Sequence, residues 1–319
     1  MNRIPKIILH LGYPVVVLLL AVSCATTSPK PRSQAWGGAE ENSRAVVQGS
    51  PAPRAEVMPP VSGNGVTARE APAVLAGSYI LVDVRGGKTI AQKNADSRRP
   101  VASTQKLLTA LLVLERGGLD RTVKIAYEDT FAPPSKMYLK TGQSFTRREL
   151  LTVFLVKSAN DAAHALARDH SGSIAAFAAA MNRKARQLGA HNSNFVNPHG
   201  LTEGGQYSTA RDMARIALAA YREPFVRRVA RMQGCSVRGK TYKATNKLLK
   251  KMPECTGLKT GYTRASGRCL ISTARFQDAE VLLVQLGSKE SVIWNDATRL
   301  MRWGRRQRAQ PWRYAGAAF

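Results

Sequence analysis

A serine and a lysine three residues apart, Ser103 and Lys106, stand at the entrance to an apolar run with helical spacing. Pro100 precedes them and Leu107, Leu108, Leu111, Leu112 and Leu114 follow, so the pattern predicts a buried helix with Ser103 in its first turn. Residues i and i+3 share a helix face, which brings the Lys106 ammonium within reach of the Ser103 hydroxyl. At a helix N-terminus the Ser103 N–H has no intrahelical acceptor and is free to donate to a developing oxyanion. A nucleophile, a base and one oxyanion donor can thus come from a single turn. A capping serine beside a solvated lysine has the same spelling, so other stretches must decide between the two.

Residues 78–85 are β-branched and apolar, Gly86-Gly87 is a turn and residues 88–92 return, which predicts a hairpin. Gly117-Gly118 closes the Ser103 helix, and residues 119–146 are turn-rich, the expected loop bordering a cleft. Helices are expected over 147–159, 162–168, 173–188, 209–221 and 224–231, then antiparallel strands over 268–274 and 280–286. Ser158 and Asn160 fall at a helix junction, where both side chains enter one pocket only if the backbone turns between them. Lys259-Thr260-Gly261 precedes the late strands. A lysine and a threonine hydroxyl on an edge strand suit a substrate carboxylate, Gly261 leaves space for a substrate backbone, and the Tyr262 N–H is a candidate second oxyanion donor. Lys140-Thr141-Gly142 spells the same tripeptide, but it precedes no strand and is read as a chance copy. His199, set between Pro198 and Gly200 in an irregular loop, is read as structural rather than as a catalytic base.

The N-terminus points to export. Arg3 and Lys6 precede an apolar run from Ile7 to Val22 that ends at Ser23-Cys24, a secretory signal too short and broken for a membrane span. It also resembles the lipobox of bacterial lipoproteins, which implies lipidation at Cys24 and attachment to a membrane. Residues 25–77 are rich in Pro, Ser, Gly and Ala without an apolar period, the composition of a disordered tether with a reach on the order of 40 Å. The net charge of +27 would suit nucleic acid, but also anionic wall polymers and acidic lipids, and export disfavours nucleic acid. Cys235, Cys255 and Cys269 remain after Cys24, an odd number with no deducible pairing. No Cys/His cluster has metal-ligand spacing, so no metal or other cofactor is expected. The expected domains are a leader over 1–24, a tether over 25–77, a catalytic domain over 78–304 and a basic, aromatic tail over 305–319.

Ser-x-x-Lys at a helix start, Ser-x-Asn at a helix junction and Lys-Thr-Gly on a strand, in that order, form the serine penicillin-recognising pattern. With Ser158-Ala159-Asn160-Asp161, Phe195-Val196-Asn197-Pro198-His199-Gly200-Leu201, Tyr207-Ser208-Thr209-Ala210-Arg211-Asp212-Met213 and Gly257 to Thr263, residues 75–305 resemble the D-alanyl-D-alanine carboxypeptidases of low-molecular-mass penicillin-binding type. The resemblance implies an α+β fold of the β-lactamase/DD-peptidase kind, an antiparallel sheet from both chain ends with an inserted helical subdomain. It implies a periplasmic or wall-facing enzyme that acts on peptidoglycan stem peptides and is acylated by β-lactams. It also implies roles: Ser103 as nucleophile, Lys106 as base, Ser158 as proton relay, and Ser103 and Tyr262 N–H groups as oxyanion hole. Asn160 would bind the acyl-side amide, and Lys259, Thr260 and Gly261 the carboxylate end. Three departures stand out: Thr104-Gln105 after the serine, Cys255-Thr256 where an aspartate is common, and Ile293-Trp294 where many relatives have an arginine before Trp303-Gly304.

An endopeptidase that cuts D-alanyl cross-links is the alternative reading, since this chain has only a short tail after Gly304 and single-domain relatives include such enzymes. A β-lactamase of this pattern needs a glutamate after Ser-x-Asn, and none occurs from Asp161 to Thr202. An inactive wall-binding lipoprotein is less consistent with reactive positions that are all intact. The sequence leaves the oligomeric state open.

Overall fold

The computed structural model describes residues 71–308. The expected leader with Cys24, most of the tether and the end of the basic tail lie outside the described residues. Strands β1 (Ser78–Asp83) and β2 (Thr89–Lys93) make the expected hairpin. A 3-10 turn, Ala102–Gln105, leads into α1 (Lys106–Glu115). There follow β3 (Thr122–Lys124), β4 (Ser144–Thr146), α2 (Arg147–Lys157), α3 (Asn160–Ser171), α4 (Ile174–Gln187), α5 (Ala210–Arg222) and α6 (Pro224–Ala230). A hairpin of β5 (Gly234–Val237) and β6 (Lys240–Lys243) precedes the short α7 (Leu248–Lys251). Strands β7 (Cys255–Thr263), β8 (Gly267–Arg275) and β9 (Glu280–Ser288) and helix α8 (Ile293–Arg308) complete the described chain.

One antiparallel sheet runs in the order β2-β1-β9-β8-β7. β1 lies against β9 from Ser78 opposite Leu286 to Asp83 opposite Val281, so the two ends of the catalytic body meet in the sheet centre. The helices from α1 to α6 are an insertion between strands of that sheet, and the expected α+β architecture is the observed one. Successive strand residues face opposite sides, and here both sides are covered. Ile80, Val82, Ile271, Leu282 and Val284 join the large helical core, while Tyr79, Leu81, Leu270, Val281 and Leu283 pack with α8. Burial on both faces explains why β1 and β9 are continuous apolar runs.

Helix α1 is buried from Lys106 to Val113 and forms the axis around which α3, α4 and α5 pack. Helix α2 begins with a capping box: Glu149 N donates to Thr146 Oγ1 at 3.1 Å and Thr146 N to Glu149 Oε2 at 2.8 Å, an arrangement that stabilises a helix start by ~1 kcal/mol. Two features depart from the sequence reading. The folded body starts before residue 78: Ala71 and Ala76 are buried, Leu75 N donates to Asp296 and Gly77 N to the Gly287 carbonyl, so residues 71–77, expected in the tether, belong to it. The body also ends later, because α8 runs past Gly304. Its buried Ile293, Trp294, Ala297, Leu300 and Met301 follow the i, i+1, i+4, i+7, i+8 helical pattern.

Cys235, Cys255 and Cys269 are free thiols, the last two buried in β7 and β8. Among the described residues no group of three or more His, Cys, Asp or Glu side chains is placed to hold a metal, and no helix is long and apolar enough to cross a membrane.

Candidate active site

Ser103 sits in the 3-10 turn rather than in the first turn of the α-helix, and Lys106 opens α1 directly after it. The tighter turn still brings Lys106 Nζ to 2.8 Å from Ser103 Oγ. Lys106 is fully buried and touches two other groups, Asn160 Oδ1 at 2.7 Å and the His199 carbonyl oxygen at 2.6 Å. Both are acceptors only; an ammonium would donate to them and to Ser103 Oγ, whose own hydroxyl then reaches the His199 carbonyl at 3.2 Å. A neutral amine has two N–H bonds for these two oxygens, and its lone pair then faces the Ser103 hydroxyl.

The protonation state agrees with that geometry. Burial first, and then the charge on Lys259, hold the Lys106 ammonium well below the usual lysine range, and burial pulls Lys259 down to about 7. A depressed value raises the share of neutral base above that of an ordinary lysine. The rate of Ser103 acylation by a penicillin is therefore expected to level off well below pH ~10.4, where an ordinary lysine titrates. Stopped-flow acylation measured against pH is the test, and a rate that climbs tenfold per unit all the way to that value would remove Lys106 as the base.

The loop Asn194 to Leu201 is stitched to α1 by hydrogen bonds to its backbone. Gln105 Nε2 donates to Asn197 O at 2.6 Å and Thr109 Oγ1 to Pro198 O at 2.8 Å, so the polar Gln105 is explained by the loop it holds. The His199 side chain stacks on His164 at 5.2 Å, and burial with the nearby Lys106 pushes it down to about 3, which keeps it neutral and unfit for acid–base work. Its carbonyl, not its ring, belongs to the site.

Gly200 lies so close to the turn that a Cβ there would overlap the Ala102 carbonyl and come within 3.0 Å of Ser103 N, at a φ of 88°. Gly200→Ala is expected to displace the nucleophile, with a loss of more than ~2 kcal/mol in stability and about a hundredfold in acylation. Gly142→Ala is the control: φ is 84° but nothing lies within 4 Å, so only local strain of ~1 kcal/mol is expected. Thermal unfolding and penicillin labelling of the two proteins would separate crowding from strain.

Ser158 and Asn160 enter the same pocket because the backbone turns there, as the junction requires: Ser158 ends α2 in the left-handed region at φ 65°, and α3 begins at Asn160. Ser158 lines the cleft and its hydroxyl has no hydrogen-bond partner among the described residues. Asn160, expected to bind the acyl-side amide, lines the same cleft. Its Nδ2 donates to Pro133 O at 3.0 Å and Pro134 O at 2.9 Å while Oδ1 holds Lys106, so both ends of the carboxamide are engaged within the protein. Asn160 orients the base. Asp161, which sequence reasoning passed over, accepts from Met137 N and Leu139 N and pins the turn-rich loop against the start of α3.

Lys259, Thr260, Gly261 and Tyr262 lie on β7, the edge strand of the sheet. Gly261 is pressed against the 3-10 turn, where a Cβ would stand 2.9 Å from Ser103 N. Strand and nucleophile are thus in direct apposition. Thr260 shares a hydrogen bond with Thr245 at 2.7 Å. Lys259, expected at the carboxylate end, is 1% exposed, its ammonium donates to Thr260 O at 3.0 Å, and its charge helps to lower Lys106. Lys157, Lys247 and Arg268 are the basic groups lining the cleft; Arg268 is stacked over the Tyr262 ring at 4.4 Å and paired with Glu290, which also pairs with Lys247. Arg268, Lys247 and Glu290 have no signature at sequence level, since three different elements bring them together. Ile293 and Trp294, standing where many relatives have an arginine, also line the cleft, whose volume is about 400 Å³. Lys140 and Thr141 of the repeated tripeptide are exposed and outside it.

The family model for D-alanyl-D-alanine carboxypeptidases matches residues 65–290. A D-alanyl-D-alanine carboxypeptidase of Bacillus subtilis is 34% identical over 223 residues, which are 67% of this chain and 57% of that protein, so this chain spans little more than half of its length. A D-alanyl-D-alanine endopeptidase of Escherichia coli is 33% identical over 249 residues, 74% of this chain and 79% of that one. The crystal structure of a D-alanyl-D-alanine carboxypeptidase from Mycobacterium tuberculosis matches with a TM-score of 0.71 at 30% identity, covering 74% of this chain and 93% of the other. With the serine, its buried amine and the edge strand in one cleft, and with this likeness across the whole catalytic body, the chain belongs to the D-alanyl-D-alanine carboxypeptidase family of serine peptidases.

Proposed function

We propose that this chain is an exported serine D-alanyl-D-alanine carboxypeptidase that trims peptidoglycan stem peptides through an acyl-enzyme on Ser103. The observation that carries the reading is the buried Lys106 Nζ, held by Asn160 Oδ1 and the His199 carbonyl at 2.8 Å from Ser103 Oγ. Ser103 Oγ attacks the penultimate D-alanine carbonyl as its proton moves to Lys106. The Ser103 and Tyr262 N–H groups take the oxyanion. As the C–N bond breaks, Ser158 passes the proton from Lys106 to the leaving D-alanine nitrogen. Water then attacks the ester and Ser103 regains its proton. The terminal carboxylate lies against Thr260 and Arg268, which share the cleft wall.

Incubating the protein with a stem pentapeptide and with cross-linked dimers, and weighing the products, tests the reading. Release of terminal D-alanine from the pentapeptide is the expected result; unchanged pentapeptide together with cut dimers would establish the endopeptidase instead. That second reading rests on likeness to an Escherichia coli endopeptidase, 33% identical over 249 residues. β-Lactams, which acylate the same serine, are expected to be released slowly because no glutamate occurs from Asp161 to Thr202. Lipidation at Cys24 would hold the domain at the membrane by its tether, and a mature protein that begins with an acylated cysteine and needs detergent for extraction is the matching observation.

A further inference from the structure

A second cavity, of about 430 Å³, lies outside the catalytic cleft near the start of β7. Its wall is made by α6 and the residue that follows it, by Tyr221 at the end of α5, and by Thr256 and Arg275 on β7 and β8. Every cation on it is an arginine: Arg227, Arg228, Arg231 and Arg275. The carboxylate in contact with this wall is Glu280, already engaged by the Tyr221 hydroxyl at 2.5 Å and by Arg275 Nε at 3.0 Å. Arg227, Arg228 and Arg231 have no carboxylate partner among the described residues, and the contact made by the Arg228 guanidinium is a stack on Phe225 at 5.7 Å.

Arg227 and Arg231 are four residues apart, Arg228 and Arg231 three, so like charges share one helical face and repel. The C-terminal end of α6, with Arg227 and Arg228 in its last turn, offsets part of that repulsion, and an anion in the cavity would offset more. Each guanidinium presents five N–H donors in a rigid fork, matched to oxyanions that accept two bonds at a time. A carboxylate presents only two oxygens to such forks. A phosphate has oxygens enough for guanidiniums arriving from α6 on one side and β8 on the other. No aromatic face is open for base stacking, since Tyr221 and Phe225 are 3% and 7% exposed.

We propose that this cavity is a binding site for a phosphate group, carried either by an acidic lipid or by a soluble phosphate ester of the envelope, and separate from the catalytic cleft. The net charge of +27 supplies the long-range attraction and the arginine cavity the local fit. Titration of the full chain with inorganic pyrophosphate and with glycerol phosphate, alongside sedimentation with phosphatidylglycerol or phosphatidylcholine vesicles, tests it. The double variant Arg227→Gln with Arg231→Gln is expected to lose at least tenfold in affinity, with fluorescent-penicillin labelling of Ser103 unchanged as proof of folding. Should that protein fail to fold, Arg228→Gln with Arg231→Gln, at two exposed positions, takes its place. A loss confined to phosphatidylglycerol vesicles assigns the phosphate to lipid, and a loss with the soluble probes assigns it to an ester. Equal binding by wild type and variant, no binding of either probe, or binding of oligonucleotides alone would overturn the assignment. Because penicillin labelling is read separately, this result does not depend on which peptide bond the cleft cuts.

Discussion

A Ser103→Ala protein is expected to form no covalent adduct with fluorescent penicillin and to release D-alanine from a pentapeptide at least about a thousandfold more slowly than wild type. The substitution deletes one hydroxyl from a half-buried position in the 3-10 turn and leaves Lys106 bonded to Asn160 and to the His199 carbonyl. The fold should therefore hold, with a change in stability of ~1 kcal/mol or less. Activity and stability separate cleanly in this variant, and residual labelling near the wild-type level would mean that another nucleophile carries the reaction.

Lys106→Met is expected to lower the acylation rate by about a hundredfold to ten-thousandfold, the contribution of a positioned general base. Methionine approximates the length of the lysine stem and suits the apolar helix around it. It leaves Asn160 Oδ1 and the His199 carbonyl without their shared donor, at ~1–3 kcal/mol for each buried acceptor, partly offset because a costly buried amine is gone. The signature is a fall in the chemical rate with little change in substrate KM. A variant that acylates within tenfold of wild type, or one that loses substrate affinity while keeping its rate, would show that Lys106 holds the pocket together without moving a proton.

The legible part of this site was the part written in side-chain chemistry at short spacing. Ser103 with Lys106 follows from helical spacing, Ser158 with Asn160 and the β7 tripeptide took their meaning from motif order and the family resemblance, and the structure brings Ser103, Ser158 and β7 to one cleft. The His199 carbonyl was hidden because a backbone atom has no letter of its own; only the loop path, set by Gln105 and Thr109, points it at Lys106. Arg268, Lys247 and Glu290 were hidden because their meeting depends on tertiary packing. Lys259 was legible as a neighbour that lowers Lys106, but its near-complete burial was not, since an edge strand suggests exposure. The β5–β6 hairpin escaped because its short strands, Gly234–Val237 and Lys240–Lys243, are mostly polar and surface-facing. Helix α8 did carry a readable apolar stripe, so that omission reflects the reading rather than the physics.

The unpaired thiols of Cys255 and Cys269 make the molecule its own gauge of opening. Both are buried, at 7% and 2% exposure, and burial raises each above the usual thiol range, to about 11 for Cys269, so neither reacts while β7 and β8 stay paired. Cys235, on the small hairpin and half-buried, provides an internal reference. Timed alkylation followed by mass spectrometry would therefore count how often the strand that meets the nucleophile peels away. A bound inhibitor that clamps that strand should slow the two buried sites and leave the reference untouched.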